Sequence, residues 1–167
     1  STNSAADITV NYGATATAVT LGIDGIKAGT TPADDDVTLV GAKIEDVTIN
    51  VTNAKSTIQS IDVVGAKTVT VNAGVDLVTK GSIATTAASA GTLTINGAGA
   101  VNVGTLDVGF DTVNASGNSG GLTAAIGAAT DTVLTGSSGD DTITASTTNS
   151  IGSSEKLAVN AGDGTDT

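Results

Sequence analysis

The sequence predicts an all-β protein: a parallel β-helix or β-roll solenoid with a thin core of Val, Ile, Leu and Ala. Three observations carry that prediction. The apolar pattern alternates with a period of two. Val, Ile and Thr make up 60 of 167 residues, which suits a pleated surface and is far too many for a flexible linker. Leu, Ile, Val and Phe sum to only 39, just above the level at which disorder sets in, so the β-branched excess decides for a folded chain. Large side chains are almost absent, with one Phe, one Tyr, no Trp and no Met. A sandwich or closed barrel fills its interior with bulky residues. A solenoid does not need them, because each coil stacks on the next at a strand spacing of about 4.8 Å.

The strands follow in order. The clearest is Asp46-Val47-Thr48-Ile49-Asn50-Val51-Thr52, with aliphatics on one face and Thr, Asn or Asp on the other. Residues 68–72, 92–96 and 105–108 repeat that alternation, and 8–10, 18–21, 37–40, 61–64, 132–135, 142–144 and 157–160 do so in shorter form. Residues 122–129 are Ala-rich but short and contain Gly127, so they read as a loop or a single helical turn.

The pieces between strands also recur. Val40-Gly41-Ala42-Lys43 returns as Val64-Gly65-Ala66-Lys67. Val71-Asn72-Ala73 returns at Val113-Asn114-Ala115 and Val159-Asn160-Ala161. A unit this small cannot bury its apolar face alone, so the units must stack. Stacked Val-Asn-Ala corners would align their Asn side chains as a hydrogen-bonded ladder. The best break in the chain is 30–36, which holds Pro32 and the densest charge. Residues 1–35 are therefore expected to be a lead-in coil or the end of a preceding module, and 36–167 the solenoid.

Composition narrows function. The net charge is −11, with six Lys, no Arg, no His and no Cys. That removes His-based triads, thiol nucleophiles, disulfides and Cys/His zinc sites. Nucleic acid is a poor partner for so few cations. No run is apolar enough to insert in a membrane. The start, Ser1-Thr2-Asn3-Ser4, shows no cleavable signal, so export would use another route or the chain is cut from a longer one. With no Arg, no Trp and no base for a Ser or Thr nucleophile other than Lys, no enzyme is expected.

The most specific motif is Gly136-Ser137-Ser138-Gly139-Asp140-Asp141-Thr142-Ile143-Thr144. It fits the nonapeptide G-G-x-G-x-D-x-U-x, with Ser137 in place of the second Gly. Ala161-Gly162-Asp163-Gly164-Thr165-Asp166-Thr167 fits the first seven positions, with Ala161 in place of the first Gly. Such a turn offers carbonyls at its first and third positions and a carboxylate at its sixth, the oxygen donors a Ca²⁺ ion takes. An insert of roughly 145–156 separates the two copies.

These turns resemble the repeats-in-toxin (RTX) family of β-rolls. The resemblance implies Ca²⁺ as cofactor, Asp141 and Asp166 as side-chain ligands, and the carbonyls of Gly136, Ser138, Ala161 and Asp163 as backbone ligands. Asp140 lies in the same turn. Asp34, Asp36, Asp111 and Asp131 are weaker candidates, the first two in an acidic run and the others preceding strands as Asp141 does. Asp46, Asp62, Asp76 and Asp107 read as exposed strand or corner residues. Thr- and Ala-rich repeats running through Val113-Asn114-Ala115-Ser116-Gly117-Asn118 into the glycine-aspartate turn are similar to RTX-type surface-layer proteins of Gram-negative bacteria. That resemblance implies secretion without a cleaved signal and self-association into a lattice on the cell exterior, with cell-surface polysaccharide as a partner through another part of the protein. The alternatives are the stalk of a large RTX adhesin and the β-roll of a secreted RTX protease or lipase.

Overall fold

A computed structural model describes residues 7–28, 35–85, 91–127, 132–145 and 156–167. In chain order the strands are β1 (Ile8–Asn11), β2 (Ala18–Ile23), β3 (Val37–Val40), β4 (Asp46–Val51), β5 (Ser56–Ile58), β6 (Ile61–Val63), β7 (Thr68–Ala73) and β8 (Leu77–Thr79). They continue as β9 (Ile83–Thr85), β10 (Gly91–Gly97), β11 (Val101–Leu106), β12 (Phe110–Asn118), β13 (Leu122–Ile126), β14 (Thr132–Thr135), β15 (Thr142–Ala145) and β16 (Leu157–Asn160). The described residues contain no helix. The strands stack as a parallel β-solenoid.

Three sheets form its faces: β1-β3-β6-β9, then β2-β4-β7-β10-β12-β14-β16, then β5-β8-β11-β13-β15. Each early coil visits all three in turn. The period-two pattern is what makes this possible. Val47, Val69, Leu93, Val113 and Leu134 pair in sequence across the seven-stranded sheet and are all fully buried. One inward column of medium aliphatics thus fills the axis, and the alternate Thr, Asn and Asp stay outside. Residues 8–23, before the expected break, pair in register with β3 and β4.

Among the described residues the four-stranded face has no strand after β9, and those that follow alternate between the other two faces. The coil shortens there: Thr68 pairs with Thr92, 24 residues on, and Thr92 with Thr112, 20 residues on. At the change itself the strands lengthen, β10 to seven residues and β12 to nine. Phe110, 1% exposed, fills the interior where this change occurs. Asp107 closes the abandoned edge, its Oδ1 accepting the N–H groups of Thr85 and Gly109 at 3.2 and 3.0 Å.

Several sequence expectations need correction. Residues 122–126 are strand β13, not a loop or turn, because pairing with β11 and β15 outweighs the local preference of an Ala-rich stretch. Strand β11 spans Val101–Leu106 rather than 105–108, and Val108 lies outside it, 60% exposed. β5, β8 and β9 have three residues each, too few to show a period. The Asn ladder exists with a different membership. Asn72 Nδ2 donates to Asn50 Oδ1 and Asn96 Nδ2 to Asn72 Oδ1. Asn114 and Asn160 instead accept the N–H two residues on, from Ser116 and Gly162, because both stand one column over, paired with Thr135. The Val-Gly-Ala-Lys copies begin in the register of β3 on β6 and lose it at their Lys, where Lys67 lies against Glu45, its Nζ 2.8 Å from Oε1.

Candidate metal centre

The glycine-aspartate turns sit at one corner of the solenoid, between the seven-stranded and five-stranded sheets. Every coil turns there. The first inward position after the corner forms a column, Ser56, Leu77, Val101 and Leu122, paired in order. Thr142 pairs with Thr123, so Asp141 is the next member. Thr167 N donates to Asp141 O, and Ile143 N to Thr167 O, which places Asp166 on the column after Asp141. Two carboxylates therefore continue a column that aliphatic side chains fill in the three coils before.

A carboxylate in that position needs donors. Asp141 is 1% exposed. Its Oδ1 accepts from Leu122 N and Ser137 Oγ, each at 2.6 Å, and its Oδ2 from Ser137 N at 2.7 Å. Asp166 Oδ1 accepts the Asp141 N–H at 3.0 Å, and Asp140 Oδ1 the Thr165 N–H at 2.9 Å. Ser56 works in the same way lower in the column, where its Oγ accepts the Ile26 N–H.

The two turns lie directly on one another, 25 residues apart, despite the insert. Gly136 N donates to Asn160 O and Asp163 N to Ser137 O. A Cβ at Gly136 would overlap the Ala161 carbonyl oxygen and Asp141 Oδ2, so only glycine fits. Gly162 has φ +97°, and a Cβ there would overlap the Ser137 carbonyl.

The carbonyls of Gly136, Ser138, Ala161 and Asp163 accept no hydrogen bond from any described residue. Gly136, Ser138 and Asp163 line a depression of about 270 Å³ together with Ser137 and Gly162. Among the described residues, no three carboxylates gather closely enough to hold a metal by themselves. A cation here would depend on carbonyl oxygens. Asp141 Oδ1 already has two donors, whereas Oδ2 has one donor and a lone pair to spare. The oxygens on offer, turn carbonyls and carboxylates, are of the kind a hard cation takes, but they divide between two places: Ala161 and Asp166 line a separate depression with Ile126, Ile143, Leu157 and Val159.

The weaker candidates are dispersed. Asp36 Oδ1 accepts from Ser60 Oγ at 2.7 Å, on the four-stranded face. Asp111 lies in β12 at the far end of that strand from the corner. Asp34 and Asp131 lie outside the described residues. Asp76 is more than the exposed corner residue expected: its Oδ1 accepts the Ala100 N–H and its Oδ2 pairs with Lys55. Burial holds the Asp62 carboxyl above its ordinary range; Asp36 adds to the shift, Ser60 opposes it and Asp107 adds a little more. Sequence reasoning missed Ser137. The signal was present, as a hydroxyl standing where the motif has its second glycine. No family description, no curated protein and no solved structure matches this chain.

Proposed function

We propose that this chain is a structural segment of a secreted, calcium-dependent bacterial surface-layer protein that assembles with copies of itself on the cell exterior and has no catalytic role. The observation that supports this most is the register of the two glycine-aspartate turns. Turn 161–166 lies on turn 136–141, and four carbonyls at matching positions are left without donors. A Ca²⁺ ion between them would take the carbonyls of Gly136, Ser138, Ala161 and Asp163, with Asp141 and Asp166 as carboxylate ligands.

The physical logic is linkage. A chain of net charge −11 repels itself when no cation is bound. Extracellular calcium modules bind with dissociation constants of about 10⁻⁴–10⁻³ M, so the site fills outside a cell and stays empty inside. An ion that binds the folded coils alone adds its binding free energy to folding, about 2.7 kcal/mol at a hundredfold excess over Kd.

Circular dichroism melting in EDTA and in millimolar CaCl₂ tests the metal. A higher melting temperature in calcium is expected, and identical curves would remove calcium from the reading. Negative-stain electron microscopy of the calcium-loaded protein tests assembly: ordered sheets are expected, and isolated monomers at every concentration would favour a stalk.

A further inference from the structure

We infer that Ser137 closes the first glycine-aspartate turn without a cation, which makes the two turns unequal. Ser137 is 3% exposed and grips Asp141 at two points, Oγ to Oδ1 at 2.6 Å and N to Oδ2 at 2.7 Å. The same Oγ accepts the Gly139 N–H at 3.0 Å, which ties it to the far side of the turn. Together with Leu122 N, three donors surround one buried carboxylate. They supply from the chain itself part of the positive potential that a metal would bring.

The second turn has no such clamp. Gly162 stands at the position of Ser137, and among the described residues Asp166 has a single donor, the Asp141 N–H. Nor can the clamp be transferred, because φ +97° and the overlap with the Ser137 carbonyl exclude a side chain at Gly162. The turns differ at several positions, and Ser137 against Gly162 is the difference that reaches the sixth-position carboxylate. Ser137 is a positioning residue: it holds both carboxylate oxygens of Asp141 in place. This rests on the proposed calcium role only for what happens when metal is added.

Amide hydrogen exchange on the whole chain tests it, with Ser137→Gly and Ser137→Ala compared with wild type in EDTA and in CaCl₂. In EDTA, wild type is expected to protect the Leu122 amide more strongly than the amides of the exposed turn 161–167, whose hydrogen bonds reach only the first turn and Asn160. Ser137→Gly is expected to speed Leu122 exchange at least tenfold in EDTA, and calcium to restore it. A purely structural lesion would not be rescued by the ion. Unchanged Leu122 exchange in both variants in EDTA would overturn the clamp, whatever calcium does. If Ser137→Gly loses its global β signal, Ser137→Ala, which removes the hydroxyl but keeps the Cβ and so the restricted backbone, decides by the same criterion. If calcium alters no form while Ser137→Gly still loses protection, the clamp stands and the calcium reading fails.

Discussion

Asn72 lies on Asn50, its Nδ2 donating to the Asn50 Oδ1 at 2.9 Å, and its own Oδ1 accepts from Asn96 at 3.2 Å. The middle amide is therefore used from both sides. Asn72→Ala removes two bonds and leaves a donor and an acceptor in part-buried positions. A loss of about 1–3 kcal/mol is expected, read from the urea midpoint. Asn114→Ala, which loses only the cap on Ser116 N, is expected to cost under about 1 kcal/mol. Equal effects would show that the ladder contributes nothing beyond capping.

Phe110 pairs with Gly91 where the solenoid goes from three faces to two. It is the largest buried side chain. Phe110→Ala leaves a cavity that stiff backbone ladders cannot collapse to fill, at an expected cost of about 3–5 kcal/mol. Thermal unfolding measures it, and a cost below that of an ordinary Val→Ala change would show that the ring is not packed as described.

Gly136→Ala drives a methyl group into the Ala161 carbonyl and Asp141 Oδ2. Both neighbours are fixed, one in backbone and one by three donors. A loss of about 1–3 kcal/mol is expected, together with faster exchange over 132–145 while β2–β8 stay protected. Uniform loss across the chain would contradict a local origin.

Asp62 has a pH signature. Burial raises its carboxyl above the ordinary value of 3.8, and Asp36 next. The folded state then holds this proton more tightly than the unfolded one. Stability from this group is full below pH 3.8 and falls as pH rises through the folded value. At pH 7 the ionised side chain is a net cost, limited to under about 1 kcal/mol because much of the group faces water. Asp62→Asn is expected to melt higher than wild type at pH 7 and equally at pH 3. A lower melting temperature at pH 7 would show that the carboxylate is stabilising.

Legibility in the sequence followed element length and column. Strands β4, β7 and β10 could be read from alternation, because each shows three inward positions separated by polar outward ones. β5, β8 and β9 could not, since three residues carry little period; of that length only β6 was read, where Ile61 and Val63 flank Asp62. β13 misled through its alanines, whose preference matters little once both neighbours offer a ladder. The glycine-aspartate turns were legible as a motif, and their spacing suggested oxygen donors at Gly136, Ser138 and Asp141. Their register on one another was not legible through the intervening insert.

The sequence by itself determined the class of fold. Period-two alternation in medium aliphatics, with almost no aromatic residue, leaves stacking of thin coils as the way to bury the inward face. It also marked the corner where glycine must sit. Tertiary structure alone decided the number of faces, the column each Asn joins and the Leu122 donor to Asp141, whose other two donors come from Ser137 in its own turn. The reason is that these depend on which residue lies 19 to 30 positions away in the next coil. Local preference has no access to that offset. Only the summed pairing of whole strands sets it, and one residue of slip would have placed Asp140 or Thr142 where Asp141 now takes its three hydrogen bonds.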